Sequence, residues 1–250
     1  TYQGTRFLEG AEPVLFHAPP PQITPLRQRR KLDYLNWMNE RHKNQSTPTD
    51  RLDARIASYE LAWKMQTSIP EVNNLSNETR ETLNLYGIEN ETTKAAARAC
   101  LMARRLVERG VRFIQVYLGS GSAWDAHSDL EGNHSNLCKE TDQPVAAFLS
   151  DLKRRGLLEE TLVIWGGEFG RTPMSESGDG RDHNPWGFSM WFAGGGVKAG
   201  SIVGSTDDIG LYAVDRPAPI KDIHATILRI AGLENDLLTY KHNGRDERAT

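Results

Sequence analysis

Apolar positions along the chain follow two regimes, with the change at about Thr93. Up to about Pro25 the chain reads as irregular, because Gly4, Gly10, Pro13 and the run Pro19-Pro20-Pro21 prevent sustained helix. Leu26, Leu32, Leu35 and Met38 then recur roughly at helical spacing, and Pro48 stops the helix they predict. Asp50 is placed to cap a second helix, with Leu52, Ile56, Tyr59 and Met65 on its inward side until Pro70. The pair reads as a helical hairpin, packed as an insertion or lid. From Asn73 to Asn90 the sequence is polar and rich in Asn, a loop with a short helix near Thr79 to Tyr86.

Beyond Thr93 helices and strands alternate. Ala95 to Arg109 is a run of strong helix formers ended by Gly110, and Val111 to Leu118 follows as a strand. A helix from about Cys138 to Arg155 places Val145, Phe148, Leu149 and Leu152 on one side and stops at Gly156. Thr161 to Trp165 is a short apolar strand of the kind buried on both faces. Trp186 to Ala193 and Ile202 to Gly204 predict two more strands, and Ile220 to Ala231 a last amphipathic helix before Gly232. Helix, strand, loop, helix, strand is the βαβ rhythm of a parallel sheet. The expected fold class is therefore α/β, a mainly parallel sheet sandwiched by helices. Residues 1–92 form its irregular start plus helical insertion, and residues 93–250 its sheet-bearing part.

Composition changes this picture little. At 250 residues the chain is long enough to bury a proper core. Thirty basic and thirty-three acidic residues leave a formal charge of −3, so charge alone directs no face toward nucleic acid or anionic lipid. The cluster Arg27, Arg29, Arg30 and Lys31 reads as a solvated helix start. No stretch approaches the ~18 apolar residues of a transmembrane helix. Cys100 and Cys138 lie far apart and match no Cys/His metal spacing, which favours a buried thiol at Cys100 over a disulfide framework.

The chemistry gathers in two loops. Ligands of open α/β sheets collect outside the carboxyl ends of the strands. One such loop is Ser122 to Asp129, containing Asp125 and His127. The other runs from Gly166-Gly167-Glu168-Phe169-Gly170-Arg171-Thr172-Pro173 on to Gly180-Arg181-Asp182-His183-Asn184-Pro185. Taken singly, these residues have plain structural roles: a turn cap at Asp125, surface or hydrogen-bonded histidines, an ion pair between Glu168 and Arg171. Taken together, on one rim, Asp125, His127, Glu168 and His183 form a ligand set for zinc, manganese or calcium. Gly166 and Gly167 permit close approach of backbone to a ligand. Arg171 and Arg181 would suit an anionic substrate, because guanidinium forks match phosphate or sulfate oxygens.

Three segments resemble the alkaline phosphatase and sulfatase superfamily: Thr161 to Glu168, Trp186 to Gly204, and Asp222 to Leu233. Within it the chain is most similar to the bacterial sulfatase-like group called domain of unknown function 1501. The marks are Trp124 to His127, Gly167 to Pro173, Gly180 to Pro185 and Asn243 to Asp246. The resemblance covers most of the chain from about Thr93 and, more loosely, the opening from Tyr2. It implies an alkaline-phosphatase-like sheet, lacking its N-terminal strands here, and metal-dependent hydrolysis of sulfate or phosphate esters. By position Asp125, His127, Glu168 and His183 resemble the metal ligands, and Arg171 and Arg181 the substrate-binding residues.

Two departures accompany this likeness. Glu168-Phe169 stands where the superfamily usually has Asp followed by His or Asn, which removes a ligand of a second metal. The Asp-x-His spacing is tighter than the usual one, so Asp129 or His134 is an alternative ligand. Nothing before Thr93 looks like the superfamily's first strand and nucleophile. The chain is thus expected to be a C-terminal fragment whose nucleophile lies outside it and which is inactive alone. The implied partner is a small anionic ester or a sulfated or phosphorylated glycan, in an extracytoplasmic (periplasmic or secreted) space whose export signal the chain does not show. The competing class is a non-catalytic extracytoplasmic module that binds anionic glycans or a protein partner.

Overall fold

The computed structural model describes residues 5–7, 22–43, 50–119, 121–175, 178–242 and 244–248. The expected irregularity around Gly4, Gly10, Pro13 and Pro19 to Pro21, the stop at Pro48 and Asn243 of the last motif lie outside these residues. So does the side chain of Met65. The chain divides into two compact units, Thr1–Glu78 and Thr79–Thr250.

The first unit is a helical hairpin, α1 (Pro25–Lys43) and α2 (Asp50–Asn73). Among the described residues, several polar pairs join its helices. Arg29 forks onto Glu60 with both contacts at 2.8 Å, Asn36 donates to the same carboxylate, and Lys43 pairs with Asp53 at 2.6 Å. The Arg29 fork holds the Glu60 carboxyl down at about 2. Leu32 is buried as expected, but Leu26, Leu35, Met38 and Tyr59 are exposed. α2 also continues past Pro70 to Asn73: one missing N–H does not end a helix whose neighbouring bonds remain.

The core of the second unit is built by α3 (Arg80–Tyr86), α4 (Lys94–Glu108) and α5 (Leu130–Arg154). Thr79 caps α3 by accepting from the Thr82 N–H at 3.1 Å. α4 ends as its sequence requires, with Gly110 beyond it at φ 75°. α5 starts eight residues before the Cys138 expected from the pattern, because Asp129 caps it through the Gly132 N–H. Ala97, Cys100, Leu101 and Ala103 of α4 and Leu137, Ala147 and Leu152 of α5 form the apolar interior. A fully buried Leu contributes roughly 1.5–3 kcal/mol relative to its exposed state. Burial pushes the Cys100 thiol up to about 12.

A buried ionic knot runs through this core. Asp151 accepts from Arg155 (2.9 Å), Arg154 (3.0 Å) and the Tyr86 hydroxyl (3.2 Å), and Arg104 lies 3.1 Å away. Arg104 and Arg155 also share Glu108, at 2.7 and 2.8 Å. Desolvation alone would raise the Asp151 carboxyl, but the hydrogen bonds from Arg155 and Arg154 outweigh it and hold the group below its ordinary range.

The expected parallel sheet is not formed. The described strands make four separate two-stranded antiparallel ladders. β1 (Leu162–Trp165) pairs with β4 (Trp191–Gly194), which brings Trp165 opposite Trp191 with ring centroids 5.9 Å apart. Between them lie β2 (Gly170–Arg171) and β3 (His183–Asn184), themselves a pair, and no helix among the described residues. A chain that turns back without a helical crossover returns antiparallel. β5 (Ser205–Thr206) pairs with β6 (Ala213–Asp215), so the strand expected at Ile202 to Gly204 falls slightly later. After α6 (Ile220–Ile230) come β7 (Thr239–His242) and β8 (Arg245–Arg248).

The other half of the expected βαβ unit is missing. Val111 to Leu118 is not part of any ladder among the described residues, and Phe113 and Tyr117 are 73% and 76% exposed. Alternating apolar residues make a segment fit for a sheet, but a strand needs a partner about 4.8 Å away along its edge. The architecture is thus a helical core carrying short hairpins, not a sheet sandwiched by helices.

Candidate metal centre

Backbone contacts bring the two chemistry-bearing loops together. The Arg181 N–H donates to the Ala126 carbonyl at 2.9 Å, and the Asp129 N–H donates to the Asp179 carboxylate at 2.8 Å. Between these links Gly180 is buried against His127, where a Cβ would overlap the histidine's backbone carbonyl. On the other side, the β2–β3 ladder sets Arg171 opposite His183. Gly170 permits it, since a Cβ there would lie 2.5 Å from the Gly187 carbonyl oxygen. Thr172 and Asp182 close the ladder with two hydrogen bonds of 2.9 and 3.0 Å. Buried Asn184 ties the end of β3 to the neighbouring turn by donating to the Leu211 carbonyl and accepting from the Trp186 N–H.

Three of the four expected ligands converge. One carboxylate oxygen of Asp125 and one nitrogen each of His127 and His183 all lie within 4.8 Å of one another. Nε2 of His183 hydrogen-bonds with Oδ1 of Asp125 at 3.0 Å, and Nε2 of His127 lies 3.1 Å from the same oxygen. Behind the cluster, Nδ1 of His127 faces Oδ1 of Asp182 at 3.3 Å. That is how ligand histidines are usually oriented, with the far nitrogen on a carboxylate. The Phe169 ring packs on His183 with centroids 4.5 Å apart. Both imidazoles are about half exposed, so the cluster opens to solvent.

Electrostatics keep Asp125 charged. Burial pushes its carboxyl upward, but the hydrogen bond from His183 and the neighbouring Arg171 charge outweigh it, and the group stays below the usual carboxylate range.

Glu168 stands apart from the three. It is largely exposed and reaches the cluster only through Arg171, whose Nη2 donates to it at 3.1 Å. Arg171 also donates through Nη1 to Oδ1 of Asp125. Arg181 turns its guanidinium back to the Gly180 carbonyl at 2.7 Å. The alternative ligands have other work: Asp129 caps α5, and His134 contacts the Trp124 carbonyl at 3.3 Å beneath the indole. Asp182 and Gly180 escaped sequence reasoning. Their motif, Gly180 to Pro185, marked the region, but only the folded contact with the other loop shows what each does.

A family model described as "Protein of unknown function (DUF1501)" matches residues 1–250. No curated protein and no solved structure matches the chain. Among the described residues no helix is long and apolar enough to cross a membrane.

Proposed function

The chain belongs to the family described as protein of unknown function (DUF1501), and from that premise we propose that it binds one divalent cation through Asp125, His127 and His183, and that this centre serves hydrolysis of a phosphate or sulfate ester by the full-length protein. The observation that carries this reading is the convergence of two imidazole nitrogens and one carboxylate oxygen within 4.8 Å. Three protein donors with an open side are the pattern of catalytic sites, whereas structural zinc sites are closed by a fourth ligand. The donor set suits zinc or manganese better than calcium, which prefers about six to eight oxygens.

A cation held there supplies Lewis-acid polarisation of an ester oxygen. The chain's own groups hold the site: Asp182 orients His127, Phe169 supports His183, and the open side admits the ester. The ester class, and an extracytoplasmic setting with it, comes from the likeness to sulfatase-like enzymes. The alkaline-phosphatase-like sheet is no part of the proposal.

Titration with zinc and manganese, beside elemental analysis, tests the metal; release of the aryl alcohol from aryl phosphate and aryl sulfate tests the reaction. One saturable equivalent in the wild type, lost in His183→Ala, is expected. Full metal content in His183→Ala sinks the ligand assignment. With the full-length protein in the assay, stoichiometric metal without turnover of either ester would leave a metal-bearing binding module instead of a hydrolase.

A further inference from the structure

Three side-chain nitrogens gather around a single oxygen atom. Oδ1 of Asp125 lies 3.1 Å from Nε2 of His127 and 3.0 Å from Nε2 of His183, and the same oxygen accepts from Nη1 of Arg171. A cation coordinated by the two nitrogens must also use this oxygen, since it is the one the nitrogens face. A guanidinium on the same oxygen would stand roughly 4 Å from that cation, and two positive charges so close repel each other, which favours one occupant at a time.

We infer that Arg171 is a built-in competitor of the metal: guanidinium and divalent cation take the Asp125 oxygen in turn, and Arg171 thereby sets the affinity of the site. The inference rests on the reading of Asp125, His127 and His183 as a metal site. Arg171 is then a regulating residue, distinct from the substrate-holding role its sequence context suggests.

The surroundings give the displaced side chain somewhere to go. Its other arm is already on Glu168, which is 64% exposed and outside the ligand group. The guanidinium carbon lies 5.2 Å from the Phe169 ring centroid. Arg171 also lines a cleft of about 360 Å³ together with Gly167, Phe188 and Ser189. Release of Asp125 therefore costs one charged hydrogen bond while the Glu168 pair and the ring contact remain available.

The test is calorimetric titration of manganese into the wild-type chain, Arg171→Gln and Arg171→Lys at one ionic strength. Loss of the competing charge is expected to tighten manganese binding in Arg171→Gln by roughly 5–150-fold, the ordinary scale of coupling between two sites. Arg171→Lys, which keeps the charge, stays near the wild type. A merely structural role for Arg171 would weaken binding in both variants. The side-chain nitrogen resonances of Arg171 in the wild type give a readout that needs no variant, and they should shift as diamagnetic zinc is added. Unchanged resonances with equal or weaker binding in Arg171→Gln overturn the inference and leave the metal site standing. No saturable binding by either the wild type or Arg171→Gln overturns the metal site itself.

Discussion

Gly180 lies so close to His127 that a Cβ on residue 180 would overlap the histidine's backbone carbonyl. This contact, between residues more than fifty positions apart, holds the loop of Asp125 and His127 beside the strand that carries His183. Substituting alanine forces the two loops apart by adding a methyl group where none fits, at a cost of about 1–3 kcal/mol. Gly180→Ala is expected to lose metal affinity although no ligand is changed. Zinc titration beside far-ultraviolet circular dichroism checks it; wild-type affinity in a folded Gly180→Ala protein would contradict the role given to this contact.

Asp182 stands behind His127 rather than among the ligands, with its Oδ1 3.3 Å from Nδ1. Asp182→Asn keeps the size of the side chain and removes the charge that orients the ring. Losing such a partner typically costs about 10–100-fold in metal affinity. Competition titration against a coloured chelator measures it. An affinity equal to that of the wild type would show that the ring is held by its packing alone.

Asp151 gathers three arginines and a tyrosine in the helical core. Asp151→Asn leaves buried Arg104 with Glu108 as its remaining carboxylate partner, and removal of one partner from a buried pair costs up to about 3–5 kcal/mol. Thermal unfolding should show this as a markedly lower midpoint.

The same carboxyl makes stability depend on pH. Its pKa is depressed in the folded chain, so its contribution is complete above the unfolded carboxylate value of about 4 and is lost as pH falls through the lower folded value. Urea midpoints measured downward from pH 5 should therefore fall in the wild type, and fall less in Asp151→Asn. Parallel curves for the two proteins would remove Asp151 from the account of acid unfolding.

The two thiols should differ sharply. Cys100 is buried in α4 and burial pushes its thiol up to about 12, whereas Cys138 is exposed on α5. A disulfide reagent at pH 8 is expected to react with one thiol in the native protein and with two after denaturation. Two fast-reacting thiols in the native state would mean that the α4–α5 core opens readily.

Local features were legible in the sequence because each is decided within a few residues. The helix formers from Ala95, closed by Gly110, yield α4; the apolar run after Thr161 yields β1; Ile220 onward yields α6 before Gly232. Residue chemistry likewise marked Asp125, His127 and His183. Partners were another matter. Val111 to Leu118 has the alternation of a strand and joins no ladder among the described residues, and β1 pairs antiparallel with β4, because direction and pairing depend on where distant segments meet. Only the tertiary structure set Gly180 on His127, Asp182 behind its ring, Arg171 on the Asp125 oxygen and Glu168 outside the ligand group. Local spacing determines what a segment can become; which surfaces and charges it meets is decided by contacts between residues far apart in the chain.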